Sequence, residues 1–382
     1  MTALKIIFIA PSTIPSETAN SIQVMKVSQA LTQLGHVTTL VVPGIPAMNT
    51  MLLKQHYGIT TMFPICWFQP KTGLRRIDFC WKAVRFAEEE GADIVYTRMI
   101  WAALFALRKN IPVIVHMHGI PTGRLGPLLY RRYLKQRGKK LTIFTTLGLK
   151  QLIERELHVR HKPDEAFVCS NGVDLNRYQD IPTQEKARKL LGLPEQFTAV
   201  YSGGFYAGRG VETIFKLAKV FPKVHFLCVG GKPSVVAELQ KQVDAEKINN
   251  LTLTGFVANE KLPLYQATAD ILLMPSATHI SGSSGGDIAA ETSPMKLFEY
   301  MACKRAILCS DLPVLHEILN EKNAVLYPPE DFHSLVDAFS ALMKDGKKRE
   351  AIGAQARLDV GKYSWTDKMQ SIIDFFNQNS QG

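Results

Sequence analysis

Two glutamates eight residues apart, Glu291 and Glu299, flank a Ser-Pro pair in the segment ETSPMKLFEYMACKRAILCSD. Ser293 is a helix-capping residue type, and Pro294 fits a first helical position, where its missing N–H costs nothing. The pattern predicts a helix that leaves the amides of Met295, Lys296 and Leu297 free at its start. Such an end attracts anions, phosphate above all. Glu291 then lies just outside the helix and Glu299 about a turn and a half inside it. Carboxylates accept hydrogen bonds from hydroxyls, so the pair suits a ligand with hydroxyls on both sides of its phosphates. A nucleoside diphosphate sugar has that layout. The competing reading is a solvated Glu/Lys helix with a chance spacing. Context favours function: the motif follows an apolar run at 271–274 and a Gly/Ser loop, and precedes a second run at 306–309. That is strand, loop, helix, strand, with the helix start where open α/β sheets bind ligands.

The elements that must position these residues alternate along the whole chain. Short β-branched-rich runs predict strands at 6–10, 37–42, 94–96, 113–116, 141–144 and 166–169. A second series follows at 198–201, 225–229, 251–254, 271–274, 306–309 and 324–327. Helix-length segments separate them; one, at 21–34, closes on Gly35. Continuous apolar strands between helices predict parallel sheets covered on both faces. The expected fold class is α/β, two doubly wound Rossmann-like domains facing a central cleft. The expected domains are 1–180 and 181–364, with a tail helix in 365–382 packing back on the first. A length of 382 residues agrees with two cores.

Composition narrows the setting. Six cysteines lie far apart with no C-x-x-C pair, which points to a reducing cytoplasm. No stretch reaches the ~20 apolar residues of a membrane span, and the start reads as a first strand rather than a signal peptide. The formal net charge is +11, and RRYLKQRGKK at 131–140 holds six basic positions and no acid. That run is either a solvated face or, with Leu125, Leu128, Leu129, Tyr130, Tyr133 and Leu134 preceding or interleaved, a helix lying on an anionic membrane. A nucleic-acid partner is not expected, because no binding module accompanies the charge.

Seven segments in order, LGHVTTLV, VIVHMHG, CSNGVDLNRY, YSGGFYAGRGVE, LTGFV, ILLMPS and the E-x7-E segment with SPMKLFEYMA, carry a family resemblance. The chain resembles the family 4 glycosyltransferases of the GT-B fold along nearly its whole length. The resemblance implies a retaining enzyme that moves a sugar from an NDP-sugar, held by the C-terminal domain, to a glycan or lipid-linked acceptor on the N-terminal side. It implies that Glu299 grips the ribose, that Glu291 contacts the transferred sugar, and that the amides from Ser293 to Leu297 meet the diphosphate. Arg209 stands where the family usually has lysine; a cation there stabilises the charge that grows on the leaving diphosphate. Gly204 stands where many relatives carry arginine, and Lys296 is the expected replacement. His118 matches the family's active-site histidine, and His116 reads as structural. A two-histidine metal site lacks a third ligand, the chain has no D-x-D, and neither metal nor cofactor is expected.

Thr18 and Ala19 stand where relatives often have Gly-Gly. Asn20 and Ser21 therefore read either as donor or acceptor contacts or as ordinary helix capping. Phe256 and Val257 are expected at the base, and Asn171-Gly172 reads as a turn. The implied role is cell-surface polysaccharide or lipopolysaccharide synthesis in the cytoplasm, peripheral on the inner membrane face. Rival readings are a GT-B sugar-nucleotide epimerase and a non-catalytic basic protein for membranes or nucleic acid. A hydride-transferring enzyme is disfavoured, since no G-x-G-x-x-G follows the first strand.

Overall fold

Ile6, Ile7, Phe8 and Ile9 are all fully buried although consecutive side chains of a strand point to opposite faces. Only a sheet covered on both sides accommodates that, and the chain builds two such sheets. A computed structural model describes residues 2–74, 76–281 and 293–378. The first sheet has seven strands: β1 (Lys5–Ile9), β2 (Val37–Pro43), β3 (Ile65–Phe68), β4 (Ile94–Thr97), β5 (Val113–Met117), β6 (Lys140–Phe144) and β7 (Ala166–Val168). Their order is β3-β2-β1-β4-β5-β6-β7, all parallel. The second has six: β8 (Thr198–Ser202), β9 (His225–Val229), β10 (Leu251–Leu253), β11 (Ile271–Met274), β12 (Ala306–Ser310) and β13 (Val325–Tyr327). Their order is β10-β9-β8-β11-β12-β13, again parallel.

The strand order reverses once in each sheet, between β1 and β4 and between β8 and β11. Loops leaving the carboxyl ends of those strands diverge to opposite faces and open a crevice. Every predicted strand is present within two residues of its expected limits. The sequence reading missed β3, a four-residue edge strand whose residues are all only half-buried, so it lacks the continuous burial that marks the others.

The described residues form two compact units. The first comprises the residues up to Asn171, Ser293, and Trp365–Gln378; the second comprises Gly172 to Ser281 and Pro294–Ser364. Helix Trp365–Gln378 thus belongs to the first unit. Phe375 stacks on Phe167 at 4.7 Å, Lys139 Nζ sits 4.1 Å from the Phe376 ring centre, and Lys368 donates to Ser170 at 2.9 Å.

The basic stretch is split between the end of helix Gly126–Lys135, a short loop and Lys140 at the start of β6, and part of the helix's apolar content points inward. Tyr130 and Tyr133 are fully buried; the Tyr130 hydroxyl meets His161 Nε2 at 2.7 Å and the Tyr133 hydroxyl meets Thr142 at 3.1 Å. Leu129 and Leu134 pack half-buried on the same core, leaving Leu125 and Leu128 exposed. This corrects the reading of all six as one interfacial face: the tyrosines anchor the helix. No helix among the described residues is long and apolar enough to cross a membrane.

In the second unit Arg188, on helix Gln184–Leu191, donates to the Thr268 carbonyl and to Asp270 at 2.5 Å. Asp270 also accepts the amide of Thr198 that opens β8, so one carboxylate fixes the start of the strand. Both side chains are largely removed from water. Arg188→Met leaves Asp270 short of a counter-charge and should cost about 3 kcal/mol, read as a lowered denaturant midpoint with an unchanged slope.

Candidate active site

The second unit's crevice is shaped first by glycines. Gly208 and Gly210 both have positive φ, 78° and 80°, and a Cβ on either would overlap the backbone leaving β11, at the His279 and Pro275 carbonyls. The loop closes so tightly that only glycine fits on each side of Arg209. The Arg209 amide bonds the Tyr206 carbonyl at 3.1 Å, turning the chain there. Burial pulls its guanidinium pKa below the ordinary range.

Helix Met295–Ala302 follows β11 after the loop, beginning one residue later than its sequence suggests. Pro294, not Ser293, occupies the cap position, and no side chain caps the end. The Ser293 hydroxyl instead accepts the Asn171 amide at 3.1 Å, while the Asn171 side chain donates to the Ser293 carbonyl at 2.6 Å. The Leu297 amide bonds the Pro294 carbonyl at 3.0 Å, so of the three expected free amides those of Met295 and Lys296 remain without an acceptor among the described residues.

Lys296 holds the most unusual charge in the unit. The residue is half-buried, but its ammonium nitrogen is sealed from water and makes no hydrogen bond. It lies 3.9 Å from the Tyr201 ring centre and would sit 3.0 Å from a Cβ at Gly203. A ring face attracts a cation but does not replace an anion. Burial, and then the charge of Arg209, hold its pKa well below the usual 10.5. At Gly204, where the resemblance implies a cation, a Cβ would meet the Tyr206 ring as it is placed.

Glu299 is held from behind. Gln266 donates to Glu299 at 3.2 Å and to Ser202 at 3.0 Å, and accepts from the buried Tyr178 hydroxyl at 2.8 Å. The Tyr300 hydroxyl, next along the helix, accepts the Ser202 amide at 2.7 Å and ties the helix to the end of β8. Glu291 and most of the Gly/Ser loop lie outside the described residues. Phe256 is exposed at the end of β10 and Val257 packs on the core; Gly255 bonds Gly230 at 2.9 Å beside them.

In the first unit His118 ends the segment after β5, its ring 4.3 Å from that of His116. His116 Nδ1 meets the Tyr96 hydroxyl at 2.7 Å. Burial drives the His116 pKa down to about 3 and that of His118 well below the ordinary value, with the Arg98 charge the next cause in both. Both imidazoles are therefore neutral at pH 7. His118 Nε2 is sealed from water and has no partner. Asn20 accepts from Ser12 at 2.7 Å and from Arg98 at 2.5 Å. Ser21 is fully buried and its hydroxyl bonds the Ser16 and Thr18 carbonyls, so it builds the loop; Thr18 is the cap of helix Ala19–Gln33 and Ala19 its exposed first residue.

Sequence reasoning missed Tyr201, Gln266, Tyr300 and Arg98. Tyr201 and Tyr300 stand inside two of the segments that carry the resemblance but show no role there, Gln266 and Arg98 stand in none, and each acquires its role from a residue distant in the chain. Chemically, the second unit offers two cations, free helix amides and a braced carboxylate, a set for an anion with an adjoining hydroxyl. The first offers a neutral imidazole with a vacant nitrogen.

Because the folded state sheds the Lys296 proton at lower pH than the unfolded chain does, stability should rise as pH climbs toward 10.5. Lys296→Met removes that dependence. The variant should melt above the wild type at pH 6, and the gap should close by about pH 10, as thermal melts across that range would read. Gly210→Ala should cost about 1–3 kcal/mol through backbone strain alone, measured by chemical denaturation.

The comparisons with known proteins agree along the chain. Residues 21–177 match the model described as Glycosyltransferase Family 4, and residues 183–359 match Glycosyl transferases group 1. A processive diacylglycerol alpha-glucosyltransferase of Acholeplasma laidlawii is 25% identical over 59% of this chain and 67% of its own length. An alpha-galactosylglucosyldiacylglycerol synthase of Streptococcus pneumoniae is 24% identical over 76% of this chain and 78% of its own. The Anabaena protein Alr3699/HepE, solved in complex with UDP, superposes with a TM-score of 0.75 at 20% identity, covering 98% of this chain and 100% of that one. With its first half answering to one model, its second half to the other, and a solved structure superposing on nearly all of it, the chain belongs to the family 4 glycosyltransferases and has their GT-B fold.

Proposed function

We propose that the enzyme takes a sugar from a nucleoside diphosphate donor and passes it, with retention at the anomeric carbon, to a glycan or lipid-linked acceptor in the assembly of cell-surface polysaccharide or glycolipid. The observation that carries this reading is the sealed, unpaired Lys296 ammonium on the first turn of an uncapped helix, with the charge of Arg209 bearing on it. Two like charges held together out of water are a cost to the empty protein. A diphosphate would repay it, accepting hydrogen bonds from the Met295 and Lys296 amides and charge from both side chains. Glu299, braced by Gln266, would take the ribose hydroxyls. Glu291 is the proposed partner of the transferred sugar. Neutral His118 would meet a sugar hydroxyl through its vacant nitrogen.

In the transfer step the bond from the anomeric carbon to the diphosphate oxygen breaks and a bond to the acceptor oxygen forms on the same face. The acceptor's proton passes to the departing phosphate. Negative charge grows on the diphosphate as the bond breaks, so Arg209 and Lys296 act most strongly in the transition state. The glycolipid and teichuronic acid enzymes among the relatives support a lipid-linked or polymeric acceptor. Exposed Leu125 and Leu128, beside Arg124, Arg132, Lys135 and Arg137, support peripheral contact with an anionic membrane on its cytoplasmic side.

Calorimetric titration with UDP and GDP tests the donor site. One of them should bind, and Glu299→Gln should weaken it about tenfold or more. Arg209→Met should lower kcat on the order of a hundredfold with the preferred donor. Absence of binding by either nucleotide, or sugar-nucleotide turnover that needs no acceptor, would overturn the reading. Proton NMR of the product decides retention. For the membrane, vesicles with 30% anionic lipid should sediment the wild type, and reversing the charge at Arg132, Lys135 and Arg137 should release it.

A further inference from the structure

Arg98 is the first residue after β4, and β4 lies beside β1 where the first sheet reverses its order. Its guanidinium is therefore in the first unit's own crevice, at the place where open α/β sheets take ligands. There Nη1 donates to Asn20 Oδ1 at 2.5 Å and to Gln23 Oε1 at 3.4 Å. Both acceptors are neutral amides. Arg98 is half-buried, and among the described residues no carboxylate pairs with it and only Nη1 bonds a side chain, leaving Nε and Nη2 open to a ligand. Arg188, which is more fully buried, has Asp270.

The surroundings make the charge more costly. Asn20 and Gln23 lie in the first turns of helix Ala19–Gln33, a fifteen-residue helix with no acidic residue in its first turn. A helix start is the positive end of the helix dipole and disfavours a cation. The imidazoles of His116 and His118, on the neighbouring strand end, feel the same charge and supply no negative one. Gln23 is 2% exposed, and its amide nitrogen, like His118 Nε2, is sealed without a partner. Guanidinium N–H groups, a vacant amide nitrogen and the positive end of a helix all await the same kind of group. Burial lowers the Arg98 pKa only to about 10, so the charge persists at pH 7.

We propose that Arg98, positioned by Asn20 and Gln23, binds an oxyanion of the acceptor, a phosphate or a carboxylate adjoining the sugar that receives the transfer. That the oxyanion is the acceptor's rests on the proposed function, which assigns the donor's diphosphate to the second unit. The site would make the enzyme selective for a charged acceptor over a neutral one of the same shape.

The test is calorimetric titration of the full chain with glycerol 1-phosphate, D-glucuronate and glucose, each with and without saturating UDP. An anionic probe should bind at least tenfold more tightly than glucose, equally well with UDP present, and which one does so identifies phosphate or carboxylate. Arg98→Gln should weaken that probe tenfold or more, leave the UDP isotherm unchanged, and melt at or above the wild-type temperature. Asn20→Asp, which sets a carboxylate against Arg98, should also abolish probe binding and should raise the melting temperature. It decides the matter should Arg98→Gln fail to fold. The proposal falls if neither anion exceeds glucose, if Arg98→Gln binds the probe as the wild type does, or if UDP competes with it. A lowered melting temperature for Asn20→Asp with probe binding intact makes Arg98 a structural arginine and likewise overturns the proposal. Failure of both UDP and GDP to bind the wild type defeats the donor assignment and leaves the Arg98-dependent result readable by itself.

Discussion

Positive charge without a matching negative is the constraint on which this structure turns. Folding seals the Lys296 ammonium against a tyrosine ring with the charge of Arg209 bearing on it, and among the described residues no carboxylate bonds it, Glu299 acting on it only through its charge. Burying an ion in that state opposes folding, and the rest of the unit must outweigh it. It does so through the dense apolar layers on both faces of the sheet and through polar anchors such as Asp270, which holds the start of β8. The crevice is thus a place where stability is given up, and the surrounding core is what allows it.

Geometry enforces the same arrangement. Parallel strands all present their carboxyl ends at one edge, so each loop that could bear a functional side chain emerges there. The two glycines around Arg209 admit no other residue, because the backbone leaving β11 fills the space a Cβ would need. The Tyr300 hydroxyl then links helix Met295–Ala302 to β8, and Gln266 links Glu299 to the same strand end. The end of β8 and helix Met295–Ala302 are thereby tied to one another through hydrogen bonds at two successive helix positions.

Much of this was legible before any coordinates. Both series of strands, the two-domain α/β architecture and the helix carrying Glu299 follow from apolar runs and capping chemistry, which are local. The exceptions are instructive because each depends on a distant partner. Ser293 looks like a helix cap, but Asn171, 122 positions away, takes its hydroxyl. Strand β3 sits at an edge, where half-burial erases the hydrophobic signature. The tyrosines within the basic run read as membrane-facing until His161 and Thr142 are seen to receive their hydroxyls inside the core. Nothing in YTRM marks Arg98, since its significance arises only when β4 is laid beside β1.

Helix Trp365–Gln378 belongs to the first unit although it is the last element of the chain, so the second unit is threaded into the first as an insert. Nature could exchange such an insert without disturbing either terminus. A gene recombining at the codons near 172 and 364 would replace the second unit while keeping Trp365–Gln378 with the strands it packs on. Splitting the gene once, in its middle, would instead leave an amino-terminal fragment lacking the helix that covers Phe167 and Lys139. Modular evolution in this chain therefore calls for two crossovers rather than one.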